Sequence, residues 1–166
     1  MLKAQFAAAS LLFATLSSSA VAQDASYSIR LMTPETAFKA AQSALKYCRE
    51  KGYQVSVAVV DRTGQTQVML RDRFAGMHTP EAATDKAWTA VSFKLNTTEF
   101  WKATQYQKPA DGIRHIPRVL AIGGGVLIQA GGASFGAIGV SGAPNGDADD
   151  ECALHGINEI IEDLEM

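Results

Sequence analysis

The stretch GGGVLIQAGGASFGAIGVSGA, residues 123–143, constrains the fold more than any other part of the chain. Gly131-Gly132 has the chemistry of a tight two-residue turn. It makes Val126 to Ala130 one strand and Ser134 to Val140 its antiparallel partner. Glycine inside a strand weakens it, yet Gly136 and Gly139 both fall inside the second of these. Their presence there points to another backbone, a subunit or a ligand lying close against that strand.

A second hairpin precedes it. Val55, Val57 and Val59 alternate with small or polar residues, the period of a half-buried strand. Asp61-Arg62-Thr63-Gly64 supplies turn chemistry, and the partner strand runs from about Thr66 to Arg71. Helices fill the gaps. Thr33 is placed to cap a helix with Pro34 at its first position, running to about Lys51 before Gly52. Its apolar stripe is Ala37, Ala40, Ala41, Ala44, Leu45 and Cys48. Thr79 and Pro80 repeat the cap pattern, with Glu81 and Asp85 near the helix start, and this helix runs to about Leu95. Asn96-Thr97-Thr98-Glu99 opens a shorter helix ending near Gln107. Residues 108–122 form a connection with two prolines. A last helix runs from about Asp150 to Leu164. The order is that of an α+β domain: an antiparallel sheet of two hairpins, flanked by helices.

The chain opens with the pattern of a secretory signal. Lys3 is a short positive region, Phe6 to Leu16 is apolar, and Ala20-Val21-Ala22 fits small-x-small cleavage. Residues 1–22 read as the signal and 23–166 as one domain, which places the protein in the periplasm or outside the cell. The apolar run falls short of the roughly 20 residues a membrane span needs. With 15 basic and 17 acidic side chains, the chain has no charge that would attract nucleic acid or anionic lipid. Cys48 and Cys152 are the only cysteines. They could bridge in an oxidising compartment, contributing about 4–5 kcal/mol in the chain-entropy model, or stay as two buried thiols. Sequence leaves that choice open.

Several short motifs, taken in order, carry a resemblance. They are Lys86-Ala87-Trp88-Thr89-Ala90, Gly124-Gly125, Gly136-Ala137-Ile138-Gly139-Val140-Ser141-Gly142, and Asp149-Asp150-Glu151-Cys152-Ala153 before Gly156. Ala75-Gly76-Met77-His78-Thr79 matches a version seen in one branch. Together they resemble the GlcG/HbpS family of small haem-binding, haem-degrading-like proteins over nearly all of residues 23–166. The resemblance implies a profilin- or PAS-like domain, homo-oligomers, and haem as a cofactor in some members. The axial ligand differs among them, so none is carried over. Two positions depart from the family pattern: Leu127 stands where proline is usual, and His155 where a small residue is usual.

His78 is the candidate haem-iron ligand, since neutral imidazole in a loop before a helix can face a pocket. Arg71, Arg73 and Lys86 lie near it in sequence and could meet haem propionates. The full candidate haem-contacting set is His78, Thr79, Arg73, Lys86, Gly124 and Gly125. The plainer alternative for His78 is packing at the helix start. Lys86, alone on a small apolar stretch, reads either as a pocket amine or as the partner of an acid such as Asp61 or Asp85. His115 reads as a surface loop residue. Cys152 and His155, three apart on a helix, could hold a metal or activate a thiolate, but no further ligands have the right spacing. The glycine runs fit neither a phosphate loop nor a dinucleotide fingerprint. Asp147, Asp149, Asp150 and Glu151 have the wrong register for a calcium loop and read as helix-start electrostatics. No Ser-His-Asp order appears.

The sequence therefore predicts an exported haem-binding protein acting in haem or iron handling or in redox sensing. The competing readings are an enzyme acting on a small metabolite around Lys86 and His78, and an oligomeric scaffold without chemistry.

Overall fold

In the computed structural model, residues 25–165 are described; the segment 1–22, expected from its sequence to be a secretory signal, lies outside them. Helix α1 spans Pro34–Glu50 and is followed by strands β1 (Ser56–Asp61) and β2 (Thr66–Arg71). Helices α2 (Thr79–Phe93) and α3 (Thr97–Ala103) come next, then a 3-10 turn at Asp111–His115. Strands β3 (Gly125–Ala130) and β4 (Ala133–Ser141) form the second hairpin, and α4 (Gly146–Asn158) and α5 (Ile161–Glu165) close the chain. The four strands make one antiparallel sheet in the order β2-β1-β4-β3. The expected α+β domain, two hairpins flanked by helices, is what forms. No described helix is long and apolar enough to cross a membrane.

The capping chemistry works at α1, where the Thr33 hydroxyl accepts the Thr36 N–H at 3.2 Å. All six residues of the expected stripe, from Ala37 to Cys48, are buried. The Gly131-Gly132 turn has positive φ at both positions (53° and 75°), as a twisted two-residue hairpin requires.

The structure corrects the half-buried reading of β1, because every one of its residues is buried. Val55, Val57 and Val59 enter the main core with α1, Val126, Ile128, Ile138 and the helix α4 residues Cys152 and Ala153. The alternate residues Ser56, Ala58 and Val60 are covered too, because α2 lies across the opposite face. That face is built for a close helix. Ala87 and Ala90 meet Val60 and Ala137 there, and a Cβ on Gly139 would fall 1.9 Å from the Ala83 carbonyl. The neighbour of Gly139 is thus a backbone of the same chain. Gly136 sits against another, since a Cβ there would meet the Val60 carbonyl at 2.0 Å.

Three helices differ from expectation in their bounds. Helix α2 stops at Phe93, where Lys94 turns into the left-handed region (φ 53°). Helix α3 ends at Ala103 rather than near Gln107. The last helix starts earlier, at Gly146 with Asn145 capping the Ala148 N–H, and breaks after Asn158.

Cys48 and Cys152 form a disulfide, with their Cα atoms 5.6 Å apart. It ties α1 to α4 on the side of the sheet away from α2. The bridge removes the Cys152–His155 metal or thiolate pair. His155 instead stacks on Tyr47 (centroids 4.4 Å apart) and hydrogen-bonds Ser43. The Leu127 departure also has a role: its N–H donates to the Asn96 side-chain oxygen at 3.0 Å, a bond proline cannot make.

Candidate functional site

A cleft of about 510 Å³ opens between the start of α2, the segment 120–122 and the loop joining β4 to α4. The segment leading into it is anchored at several points. The Asp72 N–H donates to the Val55 carbonyl, and the Asp72 carboxylate accepts Arg49 Nε at 2.8 Å. Arg71 donates to the Ala75 carbonyl. Thr79 then closes the segment, its hydroxyl donating to the Gly76 carbonyl at 2.8 Å and sharing a hydrogen bond with Ser56 Oγ. This corrects the capping assignment. Thr79 is the first helical residue, and the cap position belongs to His78, whose side chain caps nothing.

His78 is exposed on the cleft, and among the described residues its ring makes no hydrogen bond. The ring folds back over Gly76, where a Cβ would come within 2.9 Å of the imidazole Cε1. The absence of a side chain at Gly76 leaves room for the imidazole there.

The floor of the cleft holds a buried ion pair. Lys86 Nζ donates to Asp149 Oδ2 at 2.7 Å and to the Val140 carbonyl at 2.9 Å. The two side chains are 3% and 5% exposed. Asp149 Oδ1 accepts the Ala143 N–H at 3.0 Å. Burial pushes the Asp149 carboxyl up, against the pull of the Lys86 ammonium and the Ala143 N–H. The Asp61 and Asp85 pairings expected for Lys86 do not form. Asp61 accepts from Thr63, Gln65 and Gln67 in its own turn, and Asp85 pairs with Arg118 at 3.1 Å.

His78, Thr79 and Lys86 thus line one cleft. Gly124 and Gly125 lie behind it and serve the ion pair. A Cβ on Gly124 would meet Lys86 Nζ at 2.8 Å, and one on Gly125 would meet the Lys86 carbonyl at 2.4 Å. Arg73 is exposed outside the lining, with its guanidinium 6.0 Å over the Phe74 ring. His115 is exposed and also lies outside the lining. Asp149 is the residue sequence reasoning passed over. Its acid-rich surroundings read as helix-start charge, and only the fold brings it across 63 positions to Lys86.

Comparisons with known proteins agree with this fold. Over 80% of the chain, the fold superposes on a double mutant of Streptomyces reticuli HbpS, with a TM-score of 0.75, 40% identity and 88% of that structure covered. A PduOC:haem complex is similar at a TM-score of 0.75 and 27% identity, over 79% of this chain and 96% of that one. In sequence, 103 residues (61% of this chain) are 32% identical to the corrinoid adenosyltransferase PduO of Citrobacter freundii. That match spans only 31% of the enzyme's length. The model of the haem degrading protein HbpS-like family matches residues 32–158, and the chain belongs to that family.

Proposed function

We propose that this protein binds haem in the cleft at the start of α2, with His78 as the iron ligand. The observation that carries the reading is the His78 imidazole itself: exposed on the cleft wall, without a hydrogen-bond partner among the described residues, and lying over Gly76, which has no side chain to displace it. Family membership and the similarity to a haem complex support it. The site's residues fit such a ligand in part. Imidazole is a common iron ligand, and Ala82, Leu120 and Ile122 offer apolar surface in the same cleft. Arg73 lies outside the cleft lining, and Lys86 already has two partners. That leaves few fixed cations for the propionates. Bound haem would supply the redox and oxygen chemistry; the chain's own residues hold and orient it.

The physiological setting belongs to the same proposal. We place the protein in the periplasm or outside the cell, in haem or iron handling or redox sensing, working as a homo-oligomer. The secretory pattern of residues 1–22 supports export, and so does the Cys48–Cys152 bridge, which persists in oxidising compartments.

Haem titration of residues 23–166 followed by absorbance, beside His78→Ala, tests the reading. A saturable Soret shift lost in the variant is expected. A shift that survives the substitution moves the ligand to another residue, and no shift in the wild type overturns haem binding. The second reading, an enzyme for a small oxygenated metabolite, is favoured by the Lys86–Asp149 pair, a buried lysine and acid at a cleft floor. Turnover of such a metabolite without haem would establish it.

A further inference from the structure

A second groove, of about 370 Å³, lies beside the first, between α3 and the first turn of α4. This volume is within the range of small-molecule sites, roughly 300–1,000 Å³. We propose that it binds an α-amino acid with an aromatic side chain. The groove is rigidly built. Gly123 and Gly146 lie back to back, each within 3.0 Å of a Cβ built on the other, so no side chain fills the floor. Thr98 on one wall is held by the Asp150 carboxylate, which also accepts the Gly124 N–H at 2.6 Å. The apolar part of the lining is large. Trp101 is 43% exposed and Ile122 51% exposed, both on the groove. A planar ring would cover both faces.

The polar part carries one charge of each sign. Lys102 and Asp147 both line the groove, both are exposed, and neither has a salt bridge among the described residues. An anion alone would be repelled by Asp147, and a cation alone by Lys102. A zwitterion satisfies both, its carboxylate toward Lys102 and its ammonium toward Asp147. The aromatic side chain then meets Trp101 and Ile122.

Nitrogen–proton NMR titration of the disulfide-intact domain, residues 23–166, tests this with three probes. These are L-phenylalanine, 3-phenylpropionate (no ammonium) and phenethylamine (no carboxylate). Phenylalanine is expected to shift the Thr98, Trp101 and Gly123 amides saturably. Each analogue should bind about two- to five-fold more weakly, the scale of an exposed charge pair. Lys102→Gln should bring phenylalanine down to the affinity of phenethylamine, and Asp147→Asn down to that of 3-phenylpropionate. Both substitutions are on the surface and leave the groove floor intact. The proposal fails if phenylalanine gives no saturable shift, if either analogue binds as well as the amino acid, or if the shifts centre on His78 and Ser141 in the first cleft.

Discussion

The Lys86–Asp149 pair offers the sharpest test of how the cleft floor is held. Lys86→Met leaves a carboxylate buried with only the Ala143 N–H as partner. Asp149→Leu leaves an ammonium buried with only the Val140 carbonyl. Removing one member of a buried pair costs about 3–5 kcal/mol, because the other charge is stranded. Replacing both removes both charges and leaves two orphaned backbone groups, at about 1–3 kcal/mol each. Each single variant should therefore lose about 3–5 kcal/mol, and the double variant about 2–6, short of the summed single losses of about 6–10. The pH dependence of Lys86→Met has a definite sign. Burial already raises the Asp149 pKa, and losing the ammonium raises it further. The folded state then binds a proton more readily than the unfolded chain. Stability of this variant is greatest below the ordinary carboxylate pKa and falls as pH rises through the raised value, so its deficit relative to wild type grows with rising pH. Urea unfolding of the four proteins, with unchanged slopes, gives these numbers directly. If the two single losses add to the double loss within about 0.5 kcal/mol, the side chains are uncoupled and the account of the cleft floor is wrong.

Other outcomes follow from the packing. Gly139→Ala, which drives a Cβ to 1.9 Å from the Ala83 carbonyl, should cost at least about 1–3 kcal/mol in thermal or urea unfolding. Gly112→Ala, with nothing within 4 Å of its Cβ, should be close to neutral. Reducing the Cys48–Cys152 bridge should lower stability by about 4–5 kcal/mol in the chain-entropy model for a separation of 104 residues, read as a drop in the urea midpoint. Burial raises the Asp61 pKa, but donors from Thr63, Gln65 and Gln67 outweigh it and hold it below the ordinary value of 3.8. Its stabilisation is present above that value and lost as pH falls through the lower folded one. The stability gap between wild type and Asp61→Asn should therefore begin to close as pH falls below 3.8 and close fully only below the lower folded pKa.

The elements were legible wherever local chemistry decides them. Thr33-Pro34, the two glycines of the second turn and the alanine stripe of α1 each act within a few residues of themselves. The double burial of β1 was not, because Ser56 and Ala58 look like an outward face. They are small for the opposite reason, to let α2 lie close. Thr79 misled for a related cause: its hydroxyl is spent on Gly76 and Ser56 rather than on the helix end. At the site, His78 and Lys86 were legible by residue type and neighbourhood. Asp149 and the bridge between Cys48 and Cys152 were not, because each partner is chosen by how distant helices meet across the sheet.

The bridge also changes what a protease can do to this molecule. Cys48 and Cys152 close a covalent ring that contains both hairpins, α2, α3 and the start of α4. One cut anywhere in the long connection between Thr104 and Gly124 opens that ring without releasing a fragment. The two pieces stay one molecule on a non-reducing gel and separate only after reduction. A nicked copy therefore keeps both cleft walls, α2 on one piece and the β4–α4 loop on the other, tethered across the fold.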